Sequence, residues 1–515
     1  MRAVTFTAAG LGLAVLLTGG VPAAARPQDP AGGALAAYRN QHLTWGACSP
    51  GQKELRAAGA RCADVTVPLD YADPEGRTLT IAVSRIAAGA PAGERRGVLL
   101  SNPGGPGGLG LAATLALRPA LKEVAGAYDL IGFDPRFLGE STPLVCDPAR
   151  KPAEPGPTTT PRRDFEESLA AAREDARRCH ARGDNARLLP HASSRNVARD
   201  MDVIRAALGE RRLSYYGVSY GADLGAVYAQ MFPDRVDRFV VDSVTDPAAT
   251  QYEQFQRSGG PAEAALDEWA AWTARRDSTY HLGRTAAAVR RQVQALLDRA
   301  ERRPPRVDGL RLNAPLLRMI LKQPLVQAEN DPIAAAVVRD LVAAAHGGPV
   351  EPGPELARMI ELLKSPELAD GMLGGMIFMC GDGGWPAGGW PGAPETYWRN
   401  SWRSRATEPV FGPFVNGVTA PCPYFPAPRE PAVTISNDVP VLLLQAKRDH
   451  TRYRDALAMH RALRGSRMVT VDLRGHGVYG REVEGLDPVP CADRAVNAYL
   501  GGGDLPREDV TCPTA

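Results

Sequence analysis

The chain has 515 residues, room for roughly two to four domains or for one large domain with a substantial insertion. Hydrophobic residues make up 44% and charged residues 23%, which excludes disorder, collagen and coiled coil as descriptions of the whole. Sixty Lys and Arg against 58 Asp and Glu leave a formal charge of +2, and with no dense basic block nucleic acid is excluded as a partner.

In chain order, the first element is a leader. One basic residue, Arg2, precedes an apolar run ending near Leu17, and Ala23, Ala24 and Ala25 form an A-x-A cleavage site. Residues 1–25 are therefore a predicted signal peptide. The apolar run falls short of the roughly 20 residues of a spanning helix, and no later run reaches that length. The mature chain is expected to be secreted to the extracellular space, with no membrane attachment after cleavage and as a monomer. Residues 26–37 have little pattern and are open to trimming. The cysteines Cys48, Cys62, Cys146, Cys179, Cys380, Cys422, Cys491 and Cys512 number eight, an even count suited to an oxidising compartment. Neighbour pairing is the expectation: Cys48 with Cys62, Cys146 with Cys179, Cys380 with Cys422, Cys491 with Cys512. No C-x-x-C and no zinc-like histidine spacing occurs, so no metal and no cofactor is implied.

Short apolar runs bounded by turn residues predict strands over Ala63–Leu69, Leu79–Ile86, Val98–Ser101, Tyr128–Phe133, Leu213–Val218, Phe239–Val244, Val439–Gln445 and Met468–Leu473. The segments between them are long enough for crossover helices, so the fold class is α/β with a mostly parallel, eight-stranded sheet. A helix over Val197–Leu208 carries Val197, Met201, Ile204 and Leu208 at helical spacing and ends at Gly209. From 246 to 437 strand-like runs vanish, and helical periodicity appears over Ala262–Thr273, Thr285–Arg299, Pro332–Ala345 and Glu355–Leu363. Asp331 before Pro332 reads as an N-cap with proline at the first helical position. A glycine- and proline-rich stretch, Gly371–Pro426, closes this insertion. The expected organisation is a core in two parts, 26–245 and 438–515, with a helical cap over 246–437 lying across the C-terminal edge of the sheet, where open α/β folds bind ligands.

Gly217-Val218-Ser219-Tyr220-Gly221 is a G-x-S-x-G placed after a strand and before a helix over Ala222–Phe232, the setting of a nucleophile elbow. Small residues are required because the turn that exposes the serine oxygen is sharp. Ser219 is the candidate nucleophile. A serine hydroxyl needs a base and the base an orienting carboxylate, in the order Ser, Asp, His for this arrangement. Asp449 follows one predicted strand and His476, in Arg474-Gly475-His476-Gly477, follows the next. Asp242, at the end of the strand after the nucleophile, is the rival acid. His450 adjoins Asp449 and is expected to point elsewhere, and His460 to ride on a helix; both are expected at the surface. Ser101-Asn102-Pro103-Gly104-Gly105-Pro106-Gly107-Gly108 follows a strand and can bring a backbone N–H, that of Gly105, to a developing oxyanion, with the N–H of Tyr220 as the second donor. A phosphate loop is the poorer reading, since neither G-K-[ST] nor G-x-G-x-x-G opening a helix is present.

These stretches, together with Ile131-Gly132-Phe133-Asp134-Pro135-Arg136, Leu224-Gly225-Ala226-Val227-Tyr228 and Cys62–Tyr71, resemble the secreted α/β-hydrolase peptidases of the tripeptidyl aminopeptidase type, relatives of prolyl aminopeptidases. The resemblance spans essentially the whole mature chain and is looser in the insertion. It implies an α/β-hydrolase fold with a canopy, disulfides compatible with neighbour pairing, and removal of short peptides, commonly tripeptides, from free N-termini through an acyl-enzyme. The chain departs from the family where Phe137-Leu138 replaces a glycine position, at Ala222-Asp223 after the elbow, and at His450-Thr451-Arg452 after the acid. Asp382 in Met379-Cys380-Gly381-Asp382 is a candidate partner for the substrate ammonium, with a structural role the alternative; Asp134 and Arg136 read as an ion pair supporting a loop. The leading reading is a secreted serine exopeptidase acting on oligopeptides. The alternatives are an esterase or amide hydrolase of the same fold, and a binding protein on an inactive scaffold, which the filled triad disfavours.

Overall fold

The computed structural model describes residues 33–91, 93–146, 158–346, 351–382, 385–386 and 388–513. The expected signal peptide, 1–25, lies outside the described residues. The segment expected to be open to trimming reaches into them, and there Leu35 is buried in the core.

The strands are β1 (Gly46–Ala47), β2 (Arg61–Pro68), β3 (Thr78–Ile86), β4 (Val98–Asn102), β5 (Asp129–Phe133), β6 (Leu213–Val218), β7 (Val236–Asp242), β8 (Arg306–Val307), β9 (Leu310–Arg311), β10 (Val441–Ala446), β11 (Arg467–Val471) and β12 (Val510–Cys512). Ten of them form one sheet in the order β1-β2-β3-β5-β4-β6-β7-β10-β11-β12. The expected eight strands are all present, but the sheet is ten-stranded: β1 and β12 extend its two edges. Both additions are two or three residues long, too short to show a hydrophobic pattern, and both adjoin disulfides, Cys48–Cys62 and Cys491–Cys512. Pairing is antiparallel from β1 to β5 and parallel from β5 to β12. The central strands β4, β5 and β10 are buried at every position, as strands covered on both faces must be, which is why they read as continuous apolar runs. Cys146–Cys179 and Cys380–Cys422 complete four disulfides with the expected pairing.

One face of the sheet is covered by the helices Ser194–Ala207 and Tyr220–Met231, whose Val197, Met201, Ile204, Leu224 and Tyr228 are buried. The other is covered by Ala113–Leu121 and Pro490–Leu500. The Ser194–Ala207 helix starts at Ser193, whose hydroxyl accepts from the Asn196 N–H, and stops at Gly209, where φ of +77° fits a left-handed C-terminal cap.

Among the described residues between β7 and β10, the regular structure is helical apart from the short β8–β9 hairpin. Helices Gly259–Ala274, Ala286–Ala300, Ala314–Leu325, Asp331–Ala345 and Pro354–Lys364 share a hydrophobic core of their own, centred on Trp269, Val293, Leu317 and Val338. The later part differs: Ile377, Phe378, Met379, Cys380 and Cys422 are buried with the main core of the sheet. Asp331 is not the N-cap. It is the first helical residue after Asn330, and its carboxylate instead pairs with Arg474 in the loop before His476, so a long-range ion pair replaced the local cap.

Arg136 and Asp134 do not pair with each other. Arg136 is fully buried and grips Asp200 with Nε and Nη2, at 2.7 and 2.6 Å, while Asp134 accepts backbone N–H groups of Gly110, Leu111 and Glu140. Both are structural, as the loop-support reading requires, with different partners.

Candidate active site

Ser219 stands at the point where β6 hands over to the helix Tyr220–Met231, with φ 59° and ψ −128°, a conformation costing a non-glycine residue on the order of 1–3 kcal/mol. The flanking glycines are demanded by contact. A Cβ on Gly217 would lie 2.3 Å from the Gly221 carbonyl oxygen, and one on Gly221 would lie 2.4 Å from that of Asn102. The Ser219 N–H donates to the Asp242 carbonyl at 2.9 Å, tying the elbow to the neighbouring strand.

The glycine-rich loop leaves β4 directly beside the elbow, since Asn102 pairs with Gly217 in the sheet register. Gly104 has φ of +88°, and a Cβ there would be 2.3 Å from the Val218 carbonyl oxygen, 3.0 Å from Ser219 Cβ and 3.2 Å from Tyr220 N. The Gly104 N–H is held by Asn102 Oδ1 at 2.9 Å. A Cβ on Gly105, the next residue, would meet Gly107 N and Gly108 N at 2.8 Å, and Tyr220, first in its helix, has an N–H with no intrahelical acceptor.

The candidate acid and base follow the two strands beyond. Asp449 is buried in the turn after β10, and His476 follows β11; His476 Nδ1 lies 2.9 and 3.1 Å from the two Asp449 oxygens. Asp449 also accepts from Gln445 Nε2 at 3.0 Å and from the Thr451 N–H at 3.0 Å. With Nδ1 donating to the carboxylate, Nε2 is left to exchange protons. Burial resists ionisation of Asp449, but the His476 charge and hydrogen bond, with His450 and the Thr451 N–H, bring its pKa down to about 2. Burial likewise disfavours the imidazolium of His476, and Lys322 opposes it, yet Asp449 with help from Asp242 raises its pKa above the ordinary histidine value. Ser219 Oγ and His476 form no hydrogen bond in this structure; Gly477, beside His476, packs toward Val218, with 3.8 Å between a Cβ built there and Val218 Cγ1. Free enzymes commonly show a long nucleophile–base separation that closes with substrate.

Asp242, the rival acid, is placed elsewhere. Its Oδ2 accepts the N–H groups of Val478 and Tyr479 at 2.8 and 3.0 Å, so it shapes the loop after His476 and does not touch the imidazole. Burial, only partly offset by those bonds, raises its pKa to about 6. His450 does not point away: its ring centroid lies 4.0 Å from that of His476 and its Nδ1 3.3 Å from Asp449 Oδ1. Asp449, His450 and His476 thus bring ligand-type atoms within 4.8 Å of one another, a convergence that sequence spacing does not reveal, although His476 Nδ1 is already engaged by Asp449. His460 does ride on a helix, Tyr453–Ala462, but it is half-buried, held by Ser466 and Asp509. Asp382 is buried, and its carboxylate accepts the N–H and hydroxyl of Ser194, whose oxygen lies 3.0 Å from the Tyr220 hydroxyl.

Gln327 escaped the sequence reading. It follows the helix Ala314–Leu325 of the insertion, and its amide donates to the His476 carbonyl at 2.7 Å and accepts from the His476 N–H at 3.3 Å. No local pattern marks such a residue, because its partner is distant in sequence. A cavity of about 490 Å³ opens beside it, between Pro103, Val218 and His476 on the sheet side and Gln327, Glu355 and Met359 on the insertion. The glycine-rich loop after β4 touches the insertion as well: a Cβ on Gly107 would be 2.6 Å from Gly375 N.

Residues 97–335 match the family model of the alpha/beta hydrolase fold and residues 408–512 that of TAP-like proteins. The chain is 35% identical over 466 residues to a tripeptidyl aminopeptidase of Streptomyces coelicolor, covering 88% of this chain and 83% of that one. It is 35% identical over 244 residues to the serine protease Hip1 of Mycobacterium tuberculosis, 45% of each chain, and 33% identical over 314 residues to a carboxylesterase B of the same species, 58% of this chain and 59% of that one. Length, identity and the match on both sides of the insertion place it: the chain belongs to the tripeptidyl aminopeptidase family of α/β-hydrolases and is a serine hydrolase.

Proposed function

We propose that this protein is an exported serine exopeptidase that releases short peptides, tripeptides foremost, from free N-termini of oligopeptides. Ser219 Oγ attacks the scissile carbonyl carbon while His476 Nε2 takes its proton. The oxyanion of the tetrahedral intermediate accepts from the N–H groups of Gly105 and Tyr220. Collapse expels the amine of the remaining peptide, which receives the proton from His476, and leaves the acyl group on Ser219. Water, deprotonated by the same imidazole, then repeats the sequence and frees the peptide. Asp449 stays ionised throughout and stabilises the imidazolium.

The observation that carries the reading is the His476 imidazole held by both oxygens of a buried carboxylate at the sheet edge where the strained Ser219 elbow stands. Two of the relatives are named as peptidases, a tripeptidyl aminopeptidase and a serine protease. Asp382, already bonded to Ser194, fits a structural role better than an ammonium anchor. Four disulfides suit export into an oxidising compartment. A second reading, an esterase, is favoured by the carboxylesterase relative. The test is hydrolysis of a tripeptide anilide with a free N-terminus against its acetylated twin. Cleavage of the free form alone supports the exopeptidase; cleavage of both, or of simple esters only, overturns it.

A further inference from the structure

The two N–H groups proposed to bind the oxyanion, those of Gly105 and Tyr220, belong to different elements, and the insertion helix Pro366–Gly381 packs against both. On the Gly105 side the contact is backbone to backbone. The turn Gly104–Gly108 is closed by the Gly108 N–H on the Gly104 carbonyl at 3.0 Å, and its middle residues press on the helix. A Cβ on Gly107 would lie 2.6 Å from Gly375 N and 2.9 Å from Gly375 Cα, and one on Gly375 would lie 2.6 Å from the Pro106 carbonyl oxygen. The neighbouring Gly374 forms a notch for Leu138: a Cβ there would be 2.5 Å from Leu138 Cδ2. Leu138 belongs to the Phe137-Leu138 pair by which the chain departs from its family, so a bulky side chain and two helical glycines together set the register of this helix on the loop.

On the Tyr220 side, Phe378 meets the tyrosine ring with centroids 6.3 Å apart. At the helix end the Asp382 carboxylate holds the Ser194 hydroxyl, whose oxygen lies 3.0 Å from the Tyr220 hydroxyl. This end of the helix is a firm support. Ile377, Phe378, Met379 and Cys380 are buried in the main core, and Cys380 is bonded to Cys422. An oxyanion donor helps only where it points at the place the charge develops, and a misplacement of about 1 Å can cost on the order of 100-fold in rate. Contacts that fix the backbone of both donor residues therefore bear on turnover.

We propose that the helix Pro366–Gly381 positions both oxyanion donors: Gly375 holds the glycine-rich loop and with it the Gly105 N–H, and Phe378 with the Asp382–Ser194 pair holds Tyr220. Gly375, Phe378, Asp382 and Ser194 are positioning residues, acting through Gly105 and Tyr220 rather than on the substrate. The proposal deepens the mechanism above and rests on Gly105 and Tyr220 being its donors. It gives Asp382 a role other than anchoring the substrate ammonium.

The test compares Gly375→Ala with Gly371→Ala in the full mature chain. Both exchange a glycine of the same helix for a better helix former, so propensity moves their melting alike. A Cβ on Gly371 meets nothing within 4 Å, whereas ordinary contact at a Cβ is 3.4 Å or more, so Gly375→Ala must displace Pro106 or the helix by about 0.8 Å. With a free tripeptide anilide or a simple ester, Gly375→Ala is expected to lose about 10- to 100-fold in kcat with KM within threefold, and Gly371→Ala to stay within twofold in both. Affinity for an alkyl trifluoromethyl ketone should fall with kcat. Ser219 Oγ bonds to the carbonyl carbon of that ketone, its oxygen becomes the oxyanion and His476 takes the proton, so the adduct needs the same donors. Ser194→Ala, which removes the bridge from Asp382 to Tyr220, should lower kcat and ketone affinity together by about threefold or more. Gly375→Ala within twofold of the parent, an equal loss in Gly371→Ala, or a fall in kcat without loss of ketone affinity overturns the proposal. If Gly375→Ala does not fold, Ser194→Ala decides, and kcat and ketone affinity both unchanged in it overturn the proposal. A parent that cleaves esters but not the free tripeptide anilide would count against the exopeptidase reading alone, since esters pass through the same oxyanion and carry the comparison.

Discussion

Replacing Gln327 by leucine tests whether the insertion helps to hold the base as well as covering the cleft. The amide makes two hydrogen bonds to the His476 backbone, at 2.7 and 3.3 Å, and a third to Arg481 Nη1 at 3.0 Å. Leucine has similar bulk and none of these bonds. A neutral hydrogen bond contributes about 0.5–1.5 kcal/mol, and the longer of the two to His476 belongs at the low end, so their joint loss is about 1–2 kcal/mol. If that energy holds the imidazole in its working position, the transition state loses it and kcat falls about 5- to 30-fold, with KM changed less. Gln327→Glu, which keeps the acceptor for the His476 N–H and Arg481 but loses the donor, should fall between. The assay is steady-state release of chromophore from the free tripeptide anilide, or from an ester if that is the substrate. A leucine variant within twofold of the parent in kcat, or one altered only in KM, would refute the clamp.

Ser219→Ala should lose several orders of magnitude in turnover while the melting profile is retained; Ser219→Gly should be equally inactive yet more stable by about 1 kcal/mol, because glycine tolerates φ of 59°, and a destabilised glycine variant would contradict the strained elbow. Activity requires neutral His476, whose pKa is raised by Asp449 against the effect of burial, so kcat/KM should drop as pH falls through a midpoint above the ordinary histidine value, and Asp449→Asn should lower both the rate and that midpoint; a midpoint unmoved by Asp449→Asn would show that the imidazole does not sense the carboxylate. Asp242 titrates at about 6 when folded against about 4 unfolded, so the folded state holds the proton more tightly and stability falls as pH rises across that window, by on the order of 3 kcal/mol. Asp242→Asn, which can still accept from Val478 and Tyr479, should flatten that slope in denaturant titrations between pH values of about 4 and 6, and an unchanged slope would remove Asp242 as its source.

The catalytic candidates were legible because each lies within a short motif on a strand end: Gly217–Gly221 after β6, Asp449 after β10 and His476 after β11. The residues that support them were not. Asp242 looked like an alternative acid and holds the loop that follows His476. Asp331 looked like a helix cap and pairs with Arg474 in the loop before it. His450 does not turn away from the site: half-buried, it lies against the His476 ring with its Nδ1 3.3 Å from Asp449 Oδ1. In each case the residue type suggested a local role, and a partner distant in sequence determined the actual one.

The sequence by itself determined the strand set of the parallel core, the helices between Ala262 and Leu363, and the chain order of the candidate nucleophile, acid and base. These depend on period, on turn residues and on spacing, all local along the chain. Only the tertiary structure decided that short edge strands beside disulfides widen the sheet to ten, that the last part of the insertion packs into the main core, and that Gln327 holds His476 across the cleft. Those outcomes rest on contacts between residues tens to hundreds of positions apart, whose energies depend on a geometry that no local pattern encodes.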